Sequence, residues 1–319
     1  MIIENHGGEY YHCRIPGIVC TGFGSLLAYY ECRKTDSDWS EIDLKIIRSA
    51  DDGQTWKTVK TVKSNGKTLN NPVMIINGNA VHLLFCENYK RVFHCVSYDG
   101  GKSWSVQKEI TEVFGSIEHT VVALGPGHGI TAPDGTMLIP VWFALNNENK
   151  KAHRPSFIST LYSKDNGKTW HVGEIIKADF LINPSECALG VLSDASVVMS
   201  IRNENDCRLR CFAKSPNGYE NWLITGFDER FRDPICQGSM TSSGNMLCHI
   251  NCDDKNERKN LTLKITDDGF KTVKSLKIDD GGGYSDICVK NNMAYIIYED
   301  TTDTEDEYYV NLKFRVVKF

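Results

Sequence analysis

An eight-residue frame, S-x-D-x-G-x-[TS]-W, occurs three times in this chain, as SADDGQTW at 49–56, SYDGGKSW at 97–104 and SKDNGKTW at 163–170. Two weaker copies follow: SPNGYENW at 215–222, with its glycine one place early, and TDDGFKTV at 266–273, where Val273 replaces the tryptophan. The starts lie 48, 66, 52 and 51 residues apart. The frame has the chemistry of a hairpin turn: Asp and Gly supply side-chain-to-backbone hydrogen bonds and positive φ, and the tryptophan packs beneath. A β-rich segment precedes each copy (IDLKIIR, RVFHCV, SFISTLY, RLRCFA, NLTLKI), and long amphipathic helical stretches are nearly absent. A period of about 50 residues with four short strands per unit predicts a β-propeller. Five boxes and one unmarked unit in 319 residues predict an all-β, six-bladed propeller with Asp-box turns, folded as a single domain over 1–319.

Composition narrows the partners. A net charge of -5 and a pI near 6.0 argue against nucleic acid or an anionic membrane surface, so an anionic ligand has to be met by locally concentrated positive charge. The first residues lack the basic and apolar regions of a signal peptide, and no apolar run approaches the roughly 18 residues of a membrane span. The 12 cysteines never form a C-x-x-C pair and mostly sit inside apolar runs such as LLFCE and NMLCHI. They are expected to be buried free thiols in a reducing, cytoplasmic compartment; export remains the alternative for a chain trimmed of its leader.

Arg14 interrupts an apolar run, YYHCRIPGIV at 10–19. A guanidinium keeps its charge and needs an anionic partner or a wet cavity, so an internal salt bridge and a ligand contact are both open. CRIPGIV, the turn repeats and GPGHGI at 125–130 together resemble the sialidase (neuraminidase) superfamily, and the likeness runs through essentially the whole chain. The resemblance implies a retaining exo-α-sialidase that removes terminal α-linked sialic acids from glycans or free sialosides. Such a site needs fixed cations for a carboxylate, an acid for the leaving oxygen and a nucleophile below an oxocarbenium-like sugar. No metal or organic cofactor is required.

Residue by residue, Arg14, Arg202 (in VVMSIRNEND) and Arg258 (in NERKNLTLKI) match the three arginines that hold the carboxylate. In YYECRKTDSDW, Asp38 matches the acid/base residue, with Asp36 as a competitor on the same loop. The resemblance implies that Arg33 borders the sugar O4 and that Glu31 holds the arginines. Tyr284, after three glycines in GGGYSDICV, matches the nucleophile, and Glu186, in INPSECALG, the base that draws its proton. Trp39, Asn71 and Pro72 are candidates for the pocket wall, and Glu87 for a further pocket acid. His119 and His128 read as structural, and DPICQGSM and IIYED as strands near the site. The acidic stretch 299–309 lacks a D-x-D-x-D-G calcium loop and reads as a solvated turn. A trans-sialidase or a Kdn-preferring variant is the alternative on the same scaffold. A non-catalytic glycan-binding propeller is the contrasting class, but it would keep the boxes and lose Tyr284, Asp38 or Glu186. Oligomeric state is not legible.

Overall fold

The computed structural model describes residues 1–145, 153–303 and 308–319. Six sheets, antiparallel but for one short strand, follow one another around a central axis, each packing against the next until the sixth returns to the first. Blade 1 comprises His12–Cys20, Leu26–Arg33, Ile42–Ser49 and Lys57–Val62, from the axis outwards. Blade 2 comprises Leu69–Asn77, Ala80–Glu87, Arg91–Ser97 and Lys108–Glu109. Blade 3 comprises Val121–Leu124, Met137–Ala144, Ser156–Ser163 and His171–Val172. Blade 4 comprises Cys187–Val191, Val197–Ile201, Leu209–Ser215 and Leu223–Arg232. Blade 5 comprises Ser239–Ser243, Met246–Cys252, Leu261–Thr266 and Lys274–Asp279.

Blade 6 takes Ser285–Lys290, Met293–Asp303 and Tyr308–Lys318 from the C-terminal end of the chain, and its outer strand, Ile2–Glu4, from the N-terminal end. The register Ile2↔Lys313 and Glu4↔Leu312 closes the ring. The 66-residue interval between the second and third boxes holds the 3-10 turn Thr111–Phe114 and the short strand Gly127–His128. That strand runs parallel to the inner strand of blade 2.

The strands are apolar on both faces because each faces a neighbouring blade on either side. In Leu26–Arg33, Leu26, Ala28, Tyr30 and Cys32 pack toward blade 6, while Leu27 and Tyr29 pack toward blade 2. In Met137–Ala144, Leu138, Trp142 and Ala144 face blade 4, and Met137, Ile139, Val141 and Phe143 face blade 2. Each of the six blade interfaces thus has its own apolar cluster.

Every box joins the third strand of a blade to the fourth. In the first, Gly53 N–H donates to Ser49 Oγ (2.8 Å), and Thr55 N–H and Oγ1 donate to the two Asp51 oxygens (2.9 and 2.5 Å). The 97, 163 and 266 boxes repeat this pattern. The fifth box does so with Phe270 at φ 72° in the place that Gly53 holds in the first. The fourth is tighter: Gly218, at φ 83°, donates directly to Ser215 Oγ.

The boxes also join blades. A Cβ on Gly53 would lie 2.3 Å from Phe314 of blade 6, on Gly101 2.7 Å from Leu27 of blade 1, and on Gly218 2.5 Å from Leu138 of blade 3. Gly53→Ala therefore places an L side chain at φ 86° and drives it into a buried ring. The expected loss is about 2–4 kcal/mol in urea denaturation, recovered in part by Phe314→Leu. A loss below about 1 kcal/mol would show that the box does not staple the two blades.

Candidate active site

Arg14 stands where the innermost strand of blade 1 breaks register, between Arg14 and Gly17. Ile15 lies at φ 55°, a strained conformation for a β-branched residue. The Glu299 carboxylate of blade 6 holds it there, accepting from Ile15 N–H (3.0 Å) and from Arg14 Nε and Nη2 (3.1 Å each). The Tyr284 N–H also donates to Glu299 (3.3 Å). Both openings for Arg14 are thus realised in the geometry: it has a buried partner, and it lines a cavity of about 260 Å³ at the axis.

Tyr284 forms the floor of that cavity and is 7 % exposed. Its ring packs with Ile15, Cys236 and Cys252. The guanidinium carbons of Arg14, Arg202 and Arg258 lie 5.3, 6.0 and 5.3 Å from the ring centre, so three cations from blades 1, 4 and 5 surround one phenol. The three preceding glycines serve close approach: a Cβ on Gly282 would meet Cys252 Sγ at 2.9 Å, and on Gly283 the Glu299 Cβ at 2.7 Å.

Glu186 and Arg202, sixteen residues apart in sequence, become neighbours because the hairpin between them pairs Cys187 with Ile201. The Tyr284 hydroxyl donates to Glu186 Oε1 (2.7 Å) and accepts from Arg202 Nη1 (2.7 Å), and Arg202 Nη1 also bonds Glu186 Oε2. Burial pushes the Tyr284 phenol well above its ordinary pKa; Arg202 opposes this and the Glu186 charge reinforces it. The tyrosine is therefore a neutral phenol with a carboxylate in direct hydrogen-bond contact.

Across the cavity, Arg33 donates to Glu31 Oε2 through Nε (2.9 Å) and Nη2 (2.6 Å), and to Asp38 Oδ1 through Nη1 (2.6 Å). Glu31 accepts Asn71 N–H from blade 2 (2.8 Å), with Asn71 at φ 51° and on the cavity wall. The Asp38 side chain is half exposed. Burial pushes its carboxyl up, but Arg33 and Arg14 outweigh that and hold it below the usual aspartate range. Asp36 is exposed and outside the wall.

The other sequence candidates fall elsewhere. The ring of Trp39 lies behind the wall, 4.6 Å from Tyr89 and 5.6 Å from His153, where its apolar faces are covered. Glu87 pairs with Lys67 and Arg91, away from the cavity. His128 bonds Asp286 (2.7 Å), and His119 bonds the backbone carbonyl of Ile117 two residues earlier (2.7 Å). The 299–309 stretch is not a solvated turn where it is described: residues 299–303 belong to the strand Met293–Asp303, where cross-strand pairing and the Arg14 ion pair bury Glu299 completely, and residues 304–307 lie outside the described residues. All 12 cysteines are free thiols. Glu299, Tyr89, Trp142, His153, Arg154, Asn183 and Glu204 line or support the cavity without having been singled out in the sequence. Apart from Glu299, which lies within the strand Met293–Asp303, their common signal is position: they lie in or beside connections that open onto this end of the axis.

Residues 24–297 match the family described as BNR repeat-like domain, and the chain belongs to that family. Among curated relatives, a sialidase of Bacteroides fragilis is 25% identical over 336 residues, covering 90% of this chain and 60% of the relative. The chain thus spans less than two thirds of that protein's length. Among solved structures, Hadza microbial sialidase Hz136 superposes with a TM-score of 0.82 at 22% identity, covering 98% of this chain and 67% of the other. Trypanosoma rangeli sialidase in complex with 2,3-difluorosialic acid, described as a covalent intermediate, gives 0.74 at 22% identity, with 96% and 54% covered. These likenesses bear out the six-bladed propeller expected from the boxes.

The carboxylate that organises the cavity has a measurable signature. Burial raises the Glu299 pKa, but Arg14 more than offsets it, so the net shift is downward. A depressed carboxyl stabilises the fold fully above its unfolded pKa of about 4.3 and loses that contribution as pH falls through the folded value. Glu299→Gln is expected to be less stable at pH 7. Its stability should also fall less steeply below pH 4.5, by up to about 1.4 kcal/mol per pH unit. Parallel pH–stability curves for the two proteins would show that Glu299 does not carry this linkage.

Proposed function

We propose that the protein is a retaining exo-α-sialidase acting through a tyrosyl-enzyme intermediate. The observation that carries the reading is the neutral Tyr284 phenol donating to Glu186 within a ring of three arginines. Arg14, Arg202 and Arg258 take the substrate carboxylate and set the anomeric carbon above the Tyr284 oxygen. That oxygen attacks as its proton passes to Glu186, and Asp38 protonates the departing glycosidic oxygen. Asp38, now a carboxylate, takes a proton from water, which attacks the same carbon; the tyrosine leaves, recovers its proton from Glu186, and sialic acid departs with α configuration. A neutral nucleophile suits this place because a carboxylate there would repel the substrate's own. The covalent complex of the trypanosomal sialidase supports the same reading. Terminal α-sialosides, on glycans or free, are the proposed substrates.

Tyr284→Phe is expected to lower kcat on an aryl α-sialoside by on the order of 10³-fold or more, while proton NMR of the unmodified protein's reaction shows α-sialic acid as first product. Release of the β anomer first would exclude the retaining route.

Asp38 adds a leaving-group test. Held ionised by its arginines, it has to gain a proton to act, so kcat/KM on a sugar-linked sialoside should fall with rising pH, with a slope approaching -1. Asp38→Asn should cost about 10²–10⁴-fold there and far less on a nitrophenyl sialoside, which departs unaided. Equal losses on both substrates would remove Asp38 from the acid role.

A further inference from the structure

The floor of the active-site cavity rests on sulfur. Cys236, just before the first strand of blade 5, and Cys252, at the end of the second, are both buried and pack with Ile15 and Tyr284. The register that pairs Ser239 with Ile250 brings them together, since Cys236 comes three residues before the one and Cys252 two after the other. A tight turn aims Cys236: its N–H donates to Asp233 Oδ1 (2.8 Å), its carbonyl accepts from Arg210 Nη1 (2.9 Å), and Ile235 takes φ 58°. Cys252 Sγ donates to Gly283 O (3.7 Å), and a Cβ on Gly282 would meet the same sulfur at 2.9 Å. Cys252 therefore touches the backbone immediately before the tyrosine.

The two thiols differ in electrostatic setting. Burial pushes the Cys236 thiol up, but the Cys252 thiol and the Arg258 and Arg202 guanidiniums outweigh that, and the net shift is downward. Cys252 goes the other way, raised by the Cys236 sulfur and by burial. One sulfur is thus disposed to be a thiolate with a thiol beside it, the arrangement of an attacking and a resolving cysteine. Cys13 and Cys32 are also in contact (3.7 Å between sulfurs), but they sit in an apolar cluster, where contact with Cys13 and burial drive the Cys32 thiol up.

We infer that Cys236 and Cys252 form a peroxide-reactive dithiol whose oxidation to a disulfide switches the site off; the loss of activity, though not the oxidation, rests on the sialidase reading. The Cys236 thiolate attacks one peroxide oxygen and the O–O bond breaks. The hydroxide released takes back the proton Cys236 had lost, and Cys236 is left as a sulfenic acid. The Cys252 sulfur then displaces the sulfenic hydroxyl, which leaves as water with the Cys252 proton. Two thiols have lost two electrons, and one peroxide has become two waters. Pro234 and Arg258 line a neighbouring cavity of about 680 Å³, a route for so small an oxidant. An S–S bond of about 2.05 Å draws Cys252 off the Gly283 carbonyl and removes the negative sulfur that faces Arg258. The phenol and one of its three cations lose their backing together.

The test follows turnover of an aryl α-sialoside by the fully reduced protein during titration with hydrogen peroxide. Remaining thiols are then alkylated and disulfides located by peptide mass spectrometry. Activity should fall on the order of ten- to a hundredfold in step with a Cys236–Cys252 linkage, and dithiothreitol should restore it. Relative to its own untreated rate, Cys236→Ser should lose little under the same peroxide. Cys252→Ser should form no linkage to Cys236, and excess peroxide should take its activity beyond rescue by dithiothreitol. The inference is overturned by a map without the Cys236–Cys252 linkage, by a linked protein of full activity, or by a Cys236→Ser variant as sensitive as the unmodified protein. Each of these leaves the hydrolase reading standing. No turnover by the reduced protein would overturn that reading, and the peptide map would still confirm or overturn the dithiol.

Discussion

The Glu299 carboxylate bonds at once to the Arg14 guanidinium, to the N–H of Ile15 and to the N–H of Tyr284. It thereby ties the second strand of blade 6 to the first strand of blade 1, at the seam where the ring closes. The same bonds orient one of the three cations and the phenol they surround. Breaking such a pair leaves a charge stranded out of water, typically at a cost of about 3–5 kcal/mol. One side chain therefore serves both the seam between the last and first blades and the site geometry. Deeper along the axis Asp286 plays a parallel part, accepting Ile18 N–H (2.7 Å), His128 Nδ1 (2.7 Å) and the Ser239 hydroxyl. Two buried carboxylates thus stitch inner strands that apolar packing alone would leave free to slide.

Charge balance then constrains the chemistry. Arg14, Arg33 and Arg202 pair with Glu299, Glu31 and Glu186, while Arg258 has no carboxylate partner among the described residues and lies against the Tyr284 ring. Asp38 supplies the remaining negative charge from the rim. In the proposed reaction a substrate carboxylate arrives beside Arg258 and would leave the pocket with one anion too many. Protonation of Asp38 removes that excess. In that proposed reaction substrate binding and arming of the acid are one linked event, so an aspartate held low in the free protein can serve as the proposed proton donor.

Much of this was legible in the chain, for identifiable reasons. The boxes demand positive φ and a particular set of short-range hydrogen bonds, so they mark turns regardless of context, and their spacing counts blades. Arg14, Arg33, Asp38, Glu186, Arg202, Arg258 and Tyr284 carry local patterns that a family resemblance transmits, and the fold brings all seven to one cavity. Glu299 was hidden inside an apolar strand, IIYED, and only its partner across the seam reveals its use. Trp39 lies against Tyr89 and His153 instead of on the cavity wall, because adjacency to Asp38 in sequence does not say which face of a loop an indole covers. Phe270 shows the opposite kind of limit: the left-handed place in the fifth box survives although its glycine does not.

The separation of the boxes from the site follows from antiparallel geometry alone. If the first strand of each blade starts at one end of the axis, the second ends there and the third starts there. Arg14, Asn71, Glu186 and Tyr284 lie early in or just before first strands; Arg33, Trp142 and Arg202 end second strands or follow them; Asp38, Tyr89, His153, Glu204 and Arg258 lie between second and third strands. Every box lies where a third strand finishes, at the other end. The box turns and the blade contacts they make thus occupy one rim, while the opposite rim is free to vary in the connections between second and third strands. Once the boxes fix the strand order, that rule selects the short connections at 34–41, 88–90 and 202–208 as site-forming. It recovers Tyr89 and Glu204, which no motif announced.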